Sequence, residues 1–221
     1  MDIMEAMKER HSVRSYKDTA IGAEIKGVLE AEVKACNQES GLNMQFITEE
    51  PGAFDSFMAH YGKFKGVKNY IALVGKKDKK LDEKLGYYGE RLALKAQQLG
   101  LNSCWVALTF SKRKSTCAVR QGEKLVCVLA LGYGENAGVP HKSKPLNDLF
   151  RAESAVPLWF KRGMEAAALA PTAMNQQQFL FILDGNQVSA EVTGGFYSKV
   201  DLGIVKYHFE VGAGKVNFEW K

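Results

Sequence analysis

The sequence predicts an α/β or α+β fold in which helices pack on a sheet, because apolar runs of strand length alternate with amphipathic runs of helix length. The clearest strand is the apolar run at residues 125–131. The clearest helix occupies residues 86–99, with Gly100 placed as its C-cap. No linker rich in proline, glycine or serine interrupts the chain, so we expect a single domain over residues 1–221.

The other elements follow from the same periodicities and from capping and breaking residues. Asp2 is placed to cap the first helix and Asp201 to cap the last one. Pro171 ends the helix before it, because proline disfavours helical geometry in the preceding residue. The remaining helices are expected at residues 3–7, 20–35, 159–170 and 201–211. The remaining strands are expected at residues 43–47, 70–75, 103–107 and 179–183.

The C-terminal residues alternate between apolar and polar. Val216, Phe218 and Trp220 are the apolar members, in the pattern of a half-buried strand. One interpretation places this strand against a second copy of the chain, since burying three such side chains contributes about 5–8 kcal/mol at the usual transfer values. The other interpretation is that the strand closes the sheet of its own subunit.

The composition is that of an ordinary globular protein, with 46% hydrophobic and 25% charged residues. A net charge of +5, spread along the chain, suits an anionic small ligand better than nucleic acid. The four cysteines form no CxxC pair and have no histidine at metal-ligand spacing. No apolar run reaches the ~18 residues needed to span a bilayer, and a signal-peptide core is lacking. We therefore expect a cytoplasmic protein without disulfides, bound metal, a membrane segment or a nucleic-acid partner.

Residues 10–14 contain several side chains that can bind a ligand, because two arginines, a histidine and a serine fall within five positions. A guanidinium group donates two parallel hydrogen bonds, which suits a phosphate or a planar carbonyl edge. A solvated basic turn on the surface is the alternative interpretation.

Four blocks of the sequence resemble the nitroreductase family of flavoproteins. They are Arg-x-Ser-x-Arg at residues 10–14, Gln-Leu-Gly-Leu-Asn-Ser-Cys-Trp-Val at 98–106, Lys-Ser-Lys-Pro at 142–145 and Pro-Thr-x-x-Asn-x-Gln at 171–177. The last block lies near the C-terminus, whereas most members carry it shortly after the first. This permuted order resembles the subgroup labelled "putative TM nitroreductases". Gln178 stands where the family has a proline.

The resemblance implies an α+β fold with three α/β/α layers, in which a mixed, mainly antiparallel central sheet is flanked by helices. It also implies an intertwined homodimer with one FMN in each of two clefts at the subunit interface. The chemistry then belongs to the flavin, and the protein binds, orients and tunes it.

The same resemblance assigns residues to parts of the FMN. The phosphate contacts would be Arg10, Ser12, Lys142 and Lys144. The contacts at the pyrimidine end would be Arg14, which favours the negatively charged reduced flavin, and His11. The contacts reaching the ring and ribityl chain from the partner subunit would be Thr172, Asn175 and Gln177, in the element that begins at Pro171. The backbone facing the flavin N5 would be that of Ala107 and Leu108, with Asn69 as a further candidate contact.

Each of these assignments has a structural alternative. His11 is equally consistent with a solvated side chain, and Asn69 with the end of a turn. The amides of residues 172–177 are consistent with capping of a helix end. Trp105, Trp159 and Trp220 are expected to pack in the core or at an interface.

The function implied is an FMN-dependent oxidoreductase. NAD(P)H would bind without a Rossmann fingerprint and transfer hydride in a ping-pong reaction to a nitroaromatic, a quinone or a similar small-molecule electron acceptor. The alternatives are reductive dehalogenation or flavin fragmentation on the same scaffold, an FMN-storage or sensing protein without turnover, and an interaction module without FMN.

Overall fold

The computed structural model describes residues 1–55, 57–153 and 155–221, and it has an α+β fold. The predicted fold class is confirmed. The chain divides into two compact units. Unit 1 contains residue 1 and residues 9–81 and 92–140, and unit 2 contains residues 2–8, 82–91 and 141–221.

Helices and strands are interspersed along the described part of the chain. The helices are α1 (Ile3–Glu9), α2 (Ala23–Ser40), α3 (Phe57–Tyr61), α4 (Leu81–Gln98), α5 (Leu158–Ala167) and α6 (Ser198–Ala213). The strands are β1 (Gln45–Ile47), β2 (Asn69–Lys76), β3 (Asn102–Val106), β4 (Glu123–Gly132), β5 (Phe150–Ala152), β6 (Phe179–Asp184), β7 (Gln187–Val192) and β8 (Glu219–Trp220).

The sheet of unit 1 is antiparallel, with strand order β1-β2-β4-β3. Its central strands β2 and β4 pair from Asn69↔Leu131 to Lys76↔Glu123, with one irregularity between Leu73 and Val74. Almost every residue of both strands is buried, as expected for a strand covered on its two faces. This double burial explains why both strands read as continuous apolar runs in the sequence.

The sheet of unit 2 is mixed, with strand order β5-β6-β7-β8. β6 and β7 form an antiparallel hairpin, while β5 runs parallel to β6 and β8 runs parallel to β7. The sequence does not predict β7, because its residues Gln-Val-Ser-Ala-Glu-Val carry only a weak apolar signal and are mostly half-exposed.

The observed ends of several helices differ from the predicted ones, and capping residues mark some of these ends. Asp2 caps α1 as expected, since its carboxylate accepts a hydrogen bond from the Glu5 N–H (2.8 Å) and the Glu5 carboxylate accepts one from the Asp2 N–H (3.0 Å). The helix predicted for 20–35 begins at Ala23 and continues to Ser40, where Gly41 adopts φ 72°. The helix predicted for 86–99 begins earlier, at Leu81, and gains acidic residues in its first turn.

An aromatic cluster forms the core of unit 2 around Phe209 of α6. Its ring lies 4.7 Å from that of Phe181, 5.2 Å from that of Phe218 and 5.7 Å from that of Trp220. Phe218 also stacks on Trp159 at 5.9 Å. Such aromatic pairs stabilise a core beyond the area that they bury.

The interpretation in which the C-terminal strand closes the sheet of its own subunit is confirmed for Phe218 and Trp220, and a contact with a second chain stays a prediction. Both side chains pack within unit 2, and β8 pairs with β7, so the strand closes its own sheet. Val216 lies in a short 3₁₀ turn and is 96% exposed. The alternation predicts a strand, but the turn at residues 215–217 interrupts it.

Two glycines let α4 and α6 approach closely within unit 2. A Cβ atom on Gly203 would lie 1.9 Å from the carbonyl oxygen of Glu83, and one on Gly86 would lie 2.0 Å from that of Val200. Any side chain at either position would therefore push the two helices apart.

No helix in the described ranges has both the length and the apolar character needed to cross a membrane. All four cysteines are free thiols.

Replacing Phe218 by alanine is expected to lower the free energy of unfolding by about 3 kcal/mol, because it removes a ring from the centre of the aromatic cluster. Urea unfolding followed by tryptophan fluorescence measures the change. Val216→Ala is the matched control, since that exposed side chain should contribute almost nothing. Equal losses in the two variants would contradict the packing of Phe218 inside unit 2.

Candidate functional site

The arginine segment of unit 1, residues 10–16, is an extended stretch held by backbone hydrogen bonds. The Val13 N–H donates to the Ser103 carbonyl of β3 (3.0 Å). The Lys65 N–H donates to the Arg14 carbonyl, and the Tyr16 N–H donates to the Lys65 carbonyl, both at 3.0 Å. The segment is therefore fixed from two sides although it belongs to no named strand.

A cleft of about 410 Å³ in unit 1 contains Arg14. The guanidinium group lies 6.0 Å from the ring centre of Phe64, within range of a cation–π contact. The residues lining the cleft are Arg14, Tyr61, Gly62, Lys63, Phe64, Trp105, Val106, Ala107 and Thr109. The structure thus brings together two predicted site residues, Arg14 and Ala107. Leu108 follows with 68% of its surface exposed.

Arg10, Ser12 and Arg14 of the arginine segment lie near the thiol of Cys104. Burial raises the pKa of Cys104, while Arg14, a hydrogen bond with Ser12 and Arg10 pull it down. Burial prevails, so the thiol stays protonated at neutral pH. Arg10 is only 3% exposed, whereas Ser12 and Arg14 are exposed. Arg10, Ser12 and Arg14 are therefore neighbours in unit 1.

His11 and Asn69 lie elsewhere in unit 1. His11 is half-buried against Gly138, where an added Cβ atom would come within 2.7 Å of the His11 Cβ. Asn69 is 5% exposed, and its Oδ1 accepts a hydrogen bond from the Glu49 N–H (3.2 Å). Glu49 has φ 57°, so Asn69 supports a left-handed turn. Neither residue lines the Arg14 cleft.

The lysine loop of unit 2, residues 141–145, is held by Gln177. The Lys144 N–H donates to Gln177 Oε1 (2.8 Å), and Gln177 Nε2 donates to the Lys142 carbonyl (2.8 Å). Asn175 Nδ2 donates to that same carbonyl at 3.0 Å. Two predicted blocks, Lys-Ser-Lys and Asn-x-Gln, therefore meet within unit 2. The amides bind the backbone of the lysine loop, which leaves the Lys142 side chain exposed.

The amide loop, residues 171–178, has an unusual backbone. Met174, Asn175 and Gln177 have φ values of 53°, 54° and 46°. Each left-handed residue that is not glycine costs on the order of 1–2 kcal/mol. Thr172 offsets part of this cost, because its Oγ1 accepts a hydrogen bond from the Gln177 N–H (3.1 Å). Pro171, half-exposed, begins the loop after α5. Backbone strain of this kind concentrates at functional sites.

Asp201 supplies the main support of the amide loop. It is 4% exposed, and its carboxylate accepts hydrogen bonds from the Ala173 N–H and from Gln176 Nε2, both at 2.9 Å. Burial raises the pKa of Asp201 to about 6, although these two hydrogen bonds favour the ionised form. The expectation that Asp201 caps the last helix is wrong, because α6 begins at Ser198 and the side chain leaves the helix for the loop.

Sequence reasoning missed Gln176 and Gly195 as well. Gln176 Nε2 donates both to Asp201 and to the Phe196 carbonyl (2.7 Å). Gly195 makes room for this side chain, since an added Cβ atom would lie 2.0 Å from Gln176 Oε1. The only sequence signals were the unusual density of amides at residues 175–178 and the Gly-Gly pair at residues 194–195.

Arg14, Lys142 and Lys144 fit the parts of FMN to which the resemblance assigned them, whereas the Gln177 amide is buried and bonded to the lysine loop. A phosphate needs cations and hydroxyl groups, and a flavin ring needs apolar walls with a few placed polar groups. In unit 1, Arg14 lies in a cleft walled by Phe64 and Trp105. In unit 2, Lys142 and Lys144 project from a loop with a fixed backbone.

Comparison with known proteins agrees with the fold. A "putative nitroreductase" from Thermotoga maritima MSB8 has a TM-score of 0.67 at 21% identity, over 98% of this chain and 85% of that chain. A "putative nitroreductase in complex with FMN" from Desulfovibrio desulfuricans has a TM-score of 0.52 at 19% identity, over 71% and 99%. A "putative NADH dehydrogenase/NAD(P)H nitroreductase" from Bacteroides thetaiotaomicron has a TM-score of 0.52 at 15% identity, over 66% and 95%. No curated protein sequence matches the chain.

These likenesses define the class: the chain has the nitroreductase fold. The sequence matches the family described as "Putative TM nitroreductase" over residues 2–213, and the chain belongs to that family. The resemblance drawn from the four sequence blocks is confirmed.

Replacing Gln177 by alanine is expected to lower the free energy of unfolding by about 2 kcal/mol, because it removes the acceptor of the Lys144 N–H and one of the two donors to the Lys142 carbonyl. Urea unfolding measures this loss. Gln178→Ala is the control, since Gln178 accepts one hydrogen bond from Thr193 at an exposed position and should matter by less than about 0.5 kcal/mol. A Gln177→Ala variant as stable as the control would show that the lysine loop does not depend on this amide.

Proposed function

We propose that this protein is an FMN-dependent oxidoreductase that takes hydride from NAD(P)H and passes the electrons to a nitroaromatic, a quinone or a similar small acceptor. Its membership of a nitroreductase family supports the oxidoreductase class. The observation that carries the flavin assignment is the Arg14 cleft, where a guanidinium group, three aromatic residues and Ala107 line one space.

The residues of the Arg14 cleft would bind and tune the flavin ring. FMN, when bound, supplies the capacity to accept hydride and to release the electrons to a second substrate. Arg14 holds a permanent positive charge, which favours the more negative redox state of a ring beside it. The Ala107 backbone offers a polar group without a side chain, which suits close approach of a planar ring. Trp105 and Phe64 supply apolar surface that excludes water.

The phosphate of FMN needs cationic and hydroxyl donors, and each unit, taken by itself, contains groups of this kind. Arg10 and Ser12 of the arginine segment are neighbours in unit 1. Lys142 and Lys144 belong to the lysine loop of unit 2, and the Lys144 ammonium donates one of its three protons to the Gln177 carbonyl (3.0 Å). The resemblance assigns all four residues to the phosphate, and the chemistry of the groups supports that assignment.

We further propose that the protein acts as a homodimer, as the resemblance implies. Light scattering on the purified protein measures the mass directly, against 24.5 kDa for one chain.

Lys142→Ala is expected to weaken FMN binding by about 1.5–3 kcal/mol, the range for hydrogen bonds to charged groups. Fluorescence titration of FMN into the flavin-free protein measures the affinity. Lys161→Ala removes the same charge from an exposed position on α5 and should leave the affinity unchanged. Equal affinities in the two variants would remove the lysine loop from the FMN site.

The same preparation tests the activity, since the FMN-loaded protein should oxidise NADH or NADPH when a quinone is supplied. A protein that binds FMN and does not turn over with any acceptor would instead be a flavin carrier.

Arg14→Gln is expected to lower the midpoint potential of bound FMN, because it removes the positive charge that favours the reduced ring. Spectroelectrochemistry measures the potential. Lys63→Gln is the matched control, because it removes one charge from the same cleft. The resemblance places only Arg14 against the flavin ring, so the shift in Lys63→Gln should be smaller. A wild-type potential in Arg14→Gln would place the arginine away from the ring.

A further inference from the structure

We propose that Asp201 is a positioning residue, which holds the amide loop and, through Gln177, keeps the lysine loop in the conformation that presents Lys142 and Lys144 to an anion. This inference rests on the proposed function in one respect only, namely that the anion is the FMN phosphate. Asp201 contacts neither lysine, so its influence must pass through the amide loop.

Asp201 contacts the amide loop directly at two places. One carboxylate oxygen accepts from the Ala173 N–H and the other accepts from Gln176 Nε2. These residues lie on both sides of Met174 and Asn175, which have left-handed backbones. A strained segment persists only when its surroundings hold it, and Asp201 holds it at both ends.

The amide loop in turn contacts the lysine loop through Gln177. Gln177 directly follows Gln176 and is 3% exposed. Its side chain accepts from the Lys144 N–H, donates to the Lys142 carbonyl and donates to Asn175 Oδ1 (3.0 Å). Rotation of the Gln177 backbone out of its left-handed conformation would move all three of these contacts. The conformation of the lysine loop therefore depends on that of the amide loop.

Protonation of Asp201 would remove one of its two hydrogen bonds with the amide loop. Both groups that contact the Asp201 carboxylate are donors. A protonated carboxyl group carries an O–H that must itself donate, so one of these donors would lose its acceptor. Since burial raises the pKa of Asp201 to about 6, this change occurs in mildly acidic solution.

Other titratable groups on the elements around Asp201 have partners of their own. On α4, Glu83 pairs with Lys206 of α6 (2.5 Å), and the Tyr87 hydroxyl donates to Glu210 (2.5 Å). Lys199 of α6 is exposed. The amide loop contains no charged residue. Burial, opposed by the two hydrogen bonds and not assisted by a neighbouring charge, accounts for the raised pKa of Asp201.

Protonation of Asp201 is expected to have different effects on the amide loop and on the free energy of unfolding. The folded protein binds the Asp201 proton more tightly than the unfolded chain does, so this group stabilises the fold less as pH rises through about 4 to 6. Protonation therefore relaxes the amide loop without promoting unfolding. We expect FMN affinity to fall below pH 6 while the protein stays folded.

The experiment compares the wild type with Asp201→Asn in FMN titrations between pH 5 and pH 8. Asparagine keeps one acceptor for the Ala173 N–H, but it sets an NH₂ group against Gln176 Nε2. The variant should bind FMN about tenfold more weakly at pH 7.5, and the two proteins should converge near pH 5. The comparison cancels titration of the FMN phosphate, which both proteins bind. Asp184→Asn, at an exposed turn of unit 2, is the control that should behave as the wild type.

A pair of glycine variants tests the same support without changing any charge. Gly195→Ala would force the Gln176 side chain out of its place, since the added Cβ atom overlaps its amide. Gly194→Ala is matched to it, because both glycines have positive φ values (139° and 90°) and nothing lies within 4 Å of the Cβ position at Gly194. Only Gly195→Ala should weaken FMN binding. These variants decide the question should Asp201→Asn fail to fold.

Hydrogen exchange of the full-length protein without FMN gives an answer that does not depend on the cofactor. At pH 7.5 the Lys144 amide should exchange at least tenfold faster in Asp201→Asn and in Gly195→Ala, whereas the β6–β7 hairpin should stay protected. Unchanged exchange at Lys144, or wild-type affinity with a wild-type pH profile in Asp201→Asn, would overturn the inference. Failure of the wild type to bind FMN at any pH would contradict the proposed function instead, and exchange would still decide the role of Asp201.

Discussion

Buried backbone groups need hydrogen-bond partners, and this constraint determines both segments that carry the candidate site residues. The arginine segment belongs to no strand of a named sheet, and the amide loop contains only a short 3₁₀ turn at Ala173–Asn175. Neither segment therefore has a long ladder of regular backbone hydrogen bonds. The arginine segment pairs with Ser103 and Lys65, and the amide loop is bonded to Asp201. The positions of the cations therefore depend on a few specific bonds.

Within unit 2, helix α6 is the scaffold for these bonds. Its first turn carries Asp201, and two turns later His208 is completely buried. His208 Nε2 lies 3.0 Å from the Glu90 carboxylate of α4, and Nδ1 lies 3.0 Å from the Ala166 carbonyl of α5. Breaking a buried pair of this kind is costly, because it leaves a polar group without compensation. One helix thus connects the core of the unit to the loop that supports Lys142 and Lys144.

The parts of the fold that sequence reasoning predicted are those in which local pattern and tertiary burial agree. β2 and β4 are buried on both faces, so their continuous apolar runs predict strands. β7 is half-exposed and lacks such a run, and it forms a strand because its neighbours β6 and β8 pair with it. At the C-terminus, by contrast, the alternating pattern predicted a strand but did not predict which surface buries its apolar side chains. Phe218 and Trp220 belong to the core of their own unit, and no local pattern distinguishes that core from an interface.

The sequence by itself determined the family and the chemical character of the site: arginines and a serine near the N-terminus, lysines after residue 140, and amides between residues 171 and 178. Only the tertiary structure decided what the amides contact. Gln177 holds a loop 33 residues away, and Asp201 holds a loop 28 residues before it. A hydrogen bond between a side chain and a distant backbone leaves no periodic signal, because its geometry exists only once the chain has folded.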